Sequence, residues 1–380
     1  MNFVALRMLT ADRGKYFGLI STIAFASFLL ANQSSIFAGI MARTGSQIRD
    51  VVDADVWVMD PATQYVEEVT PLPDQDLYRV RGVPGVQWAV RAFRGLARAT
   101  TADGRFRTVI LLGVDDESLV GVPHSRMLVG ALEDLRLPDA AIVDRAGYEY
   151  FFPGQPLAVG RTFELNDRRV QVVGIAEASA PFATFPVFYV RYSRAVTLVG
   201  RERNQMSYVL ASPVAGLTPE DLARRIEGAT GLKALTRDGF FWATIGYYLR
   251  NTGIPVNFGI TIGIALIVGI VVCGQTFYIF TIENLKQFGA LKAIGVTNGR
   301  LVGMILLQAL TVGALGYSLG IGLVALFFEI TLTRTPTRGL VLMWQNVVGT
   351  GVIVLAIVTL ASLLSIRRVL VLEPAIVFRG

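Results

Sequence analysis

Reactive side chains are scarce in this 380-residue chain, which holds one cysteine, Cys273, and one histidine, His124. A single thiol makes neither an intramolecular disulfide nor a thiolate zinc site. Metal centres need several convergent ligands, and no such spacing surrounds His124, which stands in Val-Pro-His-Ser beside Ser125 and reads as a loop residue. The Gly-x-Ser-x-Gly and His-Glu-x-x-His patterns do not occur. Gly14-Lys15 lacks the earlier glycine and the following Ser/Thr of a phosphate-binding loop. The expectation is no catalytic residue, no metal, no cofactor bound by this chain and no ATP hydrolysis by it alone.

The one stretch whose residue types suit a specific interaction runs from Ile282 to Arg300. Apolar residues recur at Ile282, Leu285, Phe288, Leu291 and Ile294, a helical spacing that gives one sticky face. Glu283, Lys286, Lys292 and Arg300 supply charge, and Gly295 and Asn298-Gly299 are stop and turn signals. Two readings stand: a plain connector, or a docking helix for a cytoplasmic partner. In the second, Ile282, Leu285, Phe288 and Leu291 enter a groove and Glu283, Lys286 and Lys292 pair at its rim, where charges contribute little. Gly289 then permits close approach.

The elements around this stretch belong in a bilayer. The chain is 53% hydrophobic with a mean hydropathy of +0.52, too apolar for an ordinary soluble protein. Four segments reach the length of about 20 apolar residues that a span needs: 16–41, 254–282, 301–328 and 341–366. Residues 1–15 read as a basic interfacial helix or as a plain basic leader to the first span, which is too long for a signal-peptide core. Segments 1–15, 283–300 and 367–380 hold nine Lys/Arg against three Asp/Glu, an excess equal to the formal net charge of +6. The positive-inside rule therefore puts both termini and 283–300 in the cytoplasm, with 42–250 and the 329–340 loop outside; Arg334 and Arg338 mildly oppose this. The basic balance reflects membrane orientation, and no basic patch for nucleic acid is visible.

Residues 42–250 pattern as α/β. Strand signals fall at 54–59, 187–190 and 207–211, with hairpins around 102–104 and 166–167. Helices are expected over 74–80 and after Thr218, where a hydroxyl cap is followed by Pro219 and two acids. The aromatic-rich stretch 237–251 reads either as an interfacial belt or as the lining of a lateral opening for a lipid-like molecule. Within the spans, Gly259 with Gly263 and Gly316 with Gly320 are four apart, a spacing that lets helices approach closely in lipid. The amides at Asn32, Gln33, Gln275 and Gln308 read as interhelix hydrogen bonds before they read as a pathway.

Three motifs carry a resemblance. Residues 288–297, Phe-Gly-Ala-Leu-Lys-Ala-Ile-Gly-Val-Thr, followed by the Gly-rich run 306–320, resemble the FtsX/MacB superfamily of ABC-transporter permeases. Residues 54–61 are similar to the strand that opens the external domain in its DevC-like branch, and 372–379 to the family's C-terminal end. The resemblance implies an α-helical membrane protein with four transmembrane helices and a large α/β periplasmic domain of two lobes. It implies a cytoplasmic ABC ATPase dimer that carries the ATP and magnesium and grips 283–300, and a second copy of this chain. It further implies mechanotransmission across the bacterial inner membrane to a periplasmic adaptor and outer-membrane channel. Three functions remain open on this ground: export of a lipid, glycolipid or amphipathic small molecule, Lol-type lipoprotein extraction, and FtsX-like signalling to an external hydrolase.

Overall fold

The computed structural model of the protein describes residues 2–199, 206–334 and 340–371. The chain divides into two compact units, Met1–Gly39 with Gly253–Gly380, and Ile40–Thr252.

The first unit is helical: α1 (Asn2–Ala11), α2 (Arg13–Thr44), α9 (Ile254–Glu283), α10 (Leu285–Ala293), α11 (Asn298–Arg334) and α12 (Trp344–Val371). Four helices are long and apolar enough to cross a membrane: α2, α9, and α11 and α12 over Asn298–Leu332 and Trp344–Leu363. The expected 329–340 loop is helical as far as Arg334, and 335–339 lie outside the described residues. The expected tail 367–380 continues α12 to Val371, and the motif at 372–379 also lies outside them.

Helix packing corrects half of the glycine expectation. A Cβ on Gly316 would stand 2.7 Å from Ile23 Cβ, and one on Gly320 would stand 2.6 Å from the Ala24 carbonyl oxygen, so α11 lies directly against α2 at both. A Cβ on Gly259 or Gly263 would meet nothing within 4 Å among the described residues, so neither is a close-approach point between helices there. Four-residue spacing marks a smooth helix face but cannot say which way that face points. Gln308 Nε2 donates to the Ala5 carbonyl at 2.7 Å, and Asn346 Nδ2 donates to Ser35 Oγ at 3.3 Å, joining helices inside the unit. Gln275, expected to do the same, is exposed.

The second unit holds α3 (Ser46–Asp50), β1 (Val56–Met59), α4 (Asp74–Arg81), β2 (Val86–Thr100), β3 (Phe106–Val114), β4 (Met127–Gly130), β5 (Ala140–Asp144), α5 (Arg145–Phe151), β6 (Thr162–Leu165), β7 (Arg168–Ala176), β8 (Val187–Arg191), α6 (Tyr192–Val199), β9 (Tyr208–Pro213), α7 (Pro219–Thr230), β10 (Lys233–Thr236) and α8 (Arg237–Asn251). The strands run β10-β1-β9-β2-β3-β8-β5-β7-β4, with β6 pairing to β2 and β7. The two lobes share β2: its first half pairs with β9 as far as Ala92–Tyr208, and its second half pairs with β3 from Phe93–Gly113 onward. Asn166 and Asp167, both at positive φ, turn β6 into β7. Thr218 caps α7 by accepting from the Asp221 amide, and Gly231 closes it in the left-handed conformation.

Helix α8 corrects the reading of 237–251. Phe240, Phe241 and Tyr248 are buried in the α/β unit, with Phe240 against Trp57 and Tyr208 at ring distances of 5.7 and 5.8 Å. Only part of the stretch, Trp242 above all, is left for an interfacial belt.

Candidate coupling site

The segment between the second and third spans is shaped by Asn284. Helix α9 ends there: the Asn284 side chain folds back to donate to the Phe280 carbonyl at 2.8 Å, and its own carbonyl accepts the Gln287 and Phe288 amides that begin α10. Asn284 is buried, so this break is fixed by packing. Nothing in the apolar periodicity pointed to it, although an asparagine at the end of an apolar run is a familiar helix stop.

Helix α10 stops at a Schellman turn. Gly295 takes φ +93, its amide reaches the Lys292 carbonyl, and the Val296 amide reaches the Leu291 carbonyl, each at 3.1 Å. The hydrophobic contact that accompanies such a turn is present, since Leu291 and Val296 pack on the same small core. That core joins α10 to its neighbours: Phe288 lies among Ala5 of α1 and Leu301, Met304 and Ile305 of α11.

This burial corrects the sequence expectation for the anchor. Phe288 is 0% exposed and faces inward, so it is not available to a partner's groove. Leu285 and Leu291 are half-buried on the same core, and Gly289 is buried. Ile282, Glu283, Lys286, Gln287 and Ala290 point outward, as does Ile294 at 78% exposure. Lys292 is partly exposed. The periodicity found a genuine apolar face, but it turned that face toward a partner when the protein's own α1 and α11 already cover it.

Glu283 is also engaged within the chain. Lys15 at the foot of α2 lies 2.9 Å from the Glu283 carboxylate and 3.0 Å from that of Asp12. Hydrogen bonds from Lys15 hold the Asp12 carboxyl below its usual range. These groups are open to solvent, so the pairs add little to stability. Their effect is geometric: the end of α9 and the start of α2 keep one spacing. This pairing is not legible in the sequence, because Glu283 lies more than 250 residues from Lys15.

Residues 17–229 match the MacB-like periplasmic core domain, and residues 259–374 match the FtsX-like permease C-terminal domain. The first match alone covers more than half of the chain. The chain belongs to the FtsX/MacB family of ABC-transporter permeases. This FtsX/MacB-type chain is 24% identical over 392 aligned residues, all of both chains, to an uncharacterized ABC transporter permease of Mycobacterium tuberculosis. It is also 24% identical to one of Mycobacterium bovis over 223 residues, 58% of each chain. Among solved structures, it is similar to the periplasmic region of MacB from Actinobacillus actinomycetemcomitans, with a TM-score of 0.39 and 14% identity over 54% of this chain and 96% of that one. The extracellular domain of YknZ, a noncanonic ABC-type transporter of Gram-positive bacteria, aligns with a TM-score of 0.36 and 17% identity over 48% and 98% of the two chains.

Proposed function

We propose that this permease couples ATP hydrolysis in a separate ABC ATPase dimer to movement of its α/β domain, and that the ATPase grips the outward face of α10. One observation carries the reading: α10 is bound to α1 and α11 through Phe288 on its inner side and presents Lys286, Gln287, Ala290 and Ile294 on its outer side. A helix fixed on one face and open on the other transmits a push, whereas a loose connector would absorb it. Force on α10 passes to α11 through that shared core and to α9 through the Asn284 break. Helix α9 is joined in sequence to α8, whose Phe240 and Phe241 are built into the α/β unit.

The positive-inside rule orients the chain in this proposal, with α10 and both ends in the cytoplasm and the α/β unit in the periplasm of a bacterial inner membrane. ATP and its magnesium bind the ATPase. A second copy of the permease completes the pair, and the α/β unit hands an amphipathic cargo drawn from membrane lipids to an adaptor and outer-membrane channel. Site-directed labelling tests the docking face. In a Cys273→Ser background, a cysteine at Ala290 should react freely with a maleimide in the isolated permease and become protected when the ATPase binds. Equal reactivity in both states overturns the docking face.

A further inference from the structure

Strand β2 changes partner between Ala92 and Phe93, and the sheet closes over a cavity at that point. The cavity has about 30 Å³ of free volume and apolar walls that include Val51, Val66, Leu112 and Leu210. Two donors on its lining have no acceptor among the described residues: the Trp57 indole N–H and the Gln47 side-chain amide nitrogen. Both residues are buried, at 5% and 7% exposure. The amide orientation is fixed, because Arg94 Nε can only donate and lies 3.2 Å from Gln47 Oε1, so the NH₂ group must turn away from it. A buried donor left unpaired is costly, and here two share one cavity.

Arg94 and Phe93 also line an open groove of about 330 Å³ with Glu67, Val69, Pro71 and Leu96. The Arg94 guanidinium lies 3.6 Å from one Glu67 oxygen, while the other accepts the Tyr248 hydroxyl at 2.6 Å. The cation already has its counter-charge. A second carboxylate placed here would face Glu67, and a polyol would set hydroxyls against apolar walls. What the cavity lacks is a neutral acceptor.

We propose that this cleft binds a neutral acyl ester or amide. Its carbonyl oxygen enters the narrow cavity to accept from Trp57 and Gln47, and its chain lies in the groove along Val69, Pro71 and Leu96. The free volume of the inner cavity admits a carbonyl and little more, so the bulk of the molecule stays in the groove; Arg94, which lines both spaces, stands where they meet and keeps its bonds to Gln47 and Glu67. The site gives a chemical class to the amphipathic cargo and takes its physiological meaning from the export reading, but binding needs no ATPase.

The test uses the full chain in lipid nanodiscs, titrated calorimetrically with 1-monodecanoylglycerol and with decanoic acid, with discs of the Gln47→Met variant as the blank for partition into lipid. The wild type should bind the ester at least tenfold more tightly than the acid, and Gln47→Met should lose that preference. Ala92→Leu, which fills the cavity and keeps both donors, should lose it too. Glu67→Gln removes the counter-charge and should raise acid affinity at least tenfold, a gain that misfolding cannot produce. Equal binding of both probes by the wild type, heats indistinguishable from the Gln47→Met blank, or an unchanged acid affinity in Glu67→Gln would each overturn the site. Because no ATPase is present, failure here leaves the coupling proposal standing, and loss of Ala290 protection leaves this site standing.

Discussion

Phe288→Ala separates an internal strut from a docking anchor. The ring is fully buried among Ala5, Leu301, Met304 and Ile305. Truncating a buried phenylalanine costs about 3–5 kcal/mol, less where neighbours collapse into the space. Leu285 and Leu291 are half-buried beside it and can move in, which puts the expected cost near the lower end, about 3 kcal/mol. At about 1.4 kcal/mol per factor of ten, local opening of α10 becomes roughly a hundredfold more frequent. Hydrogen exchange of the α10 amides reads this directly, and their protection should fall about a hundredfold. Ile294→Asp, at an exposed position, should leave that protection unchanged and still abolish recovery of the ATPase in a pull-down. The reasoning is refuted if Phe288→Ala keeps wild-type protection and nevertheless loses the ATPase, for then the ring contacts the partner and not the helices around it.

Three further outcomes are expected. Gly320→Leu would drive a side chain into the α2 backbone, where a Cβ alone stands 2.6 Å from the Ala24 carbonyl, and should lower the melting temperature of the membrane unit by the equivalent of about 1–3 kcal/mol or more; Gly259→Leu meets open space and should leave the fold of the single chain intact. Burial raises the Asp50 carboxyl above its ordinary value despite hydrogen bonds from Ser179 and the charge of Arg126. The folded state therefore holds that proton more tightly than the unfolded chain, so this stabilising contribution is complete below about pH 4 and fades as pH rises through the raised value. The melting temperature of Asp50→Asn relative to wild type should accordingly climb between pH 4 and 7, and a fall would contradict the sign. Finally, in a Cys273→Ser background, a cysteine near Gly104 should react with an impermeant reagent added outside the cell and one near Asn298 should not; equal labelling would defeat the orientation.

The sequence alone determined the class of this protein. Four apolar runs, a charged segment between two of them and a long α/β-patterned insertion follow from length and periodicity, because a bilayer demands some 20 apolar residues per helix and a strand alternates in twos. The hairpin turn at Asn166-Asp167 and the Thr218 cap were legible for the same reason: turns and caps are local chemistry. The short strands β4, β5 and β10 and the helices α5 and α6 were not, since four to eight residues carry too little pattern until a neighbour pairs with them. Which way a face points was decided only by the tertiary structure. Phe288 and Ile294 belong to one apolar periodicity, yet the first is buried by α1 and α11 and the second is open. Gly259 and Gly320 share a motif, yet only the second meets another helix. Lys15 with Glu283, and Gln47 with Arg94, are distant in sequence and meet only after folding. Periodicity along a chain fixes the angle between side chains on one element, and it holds no information about what stands opposite them.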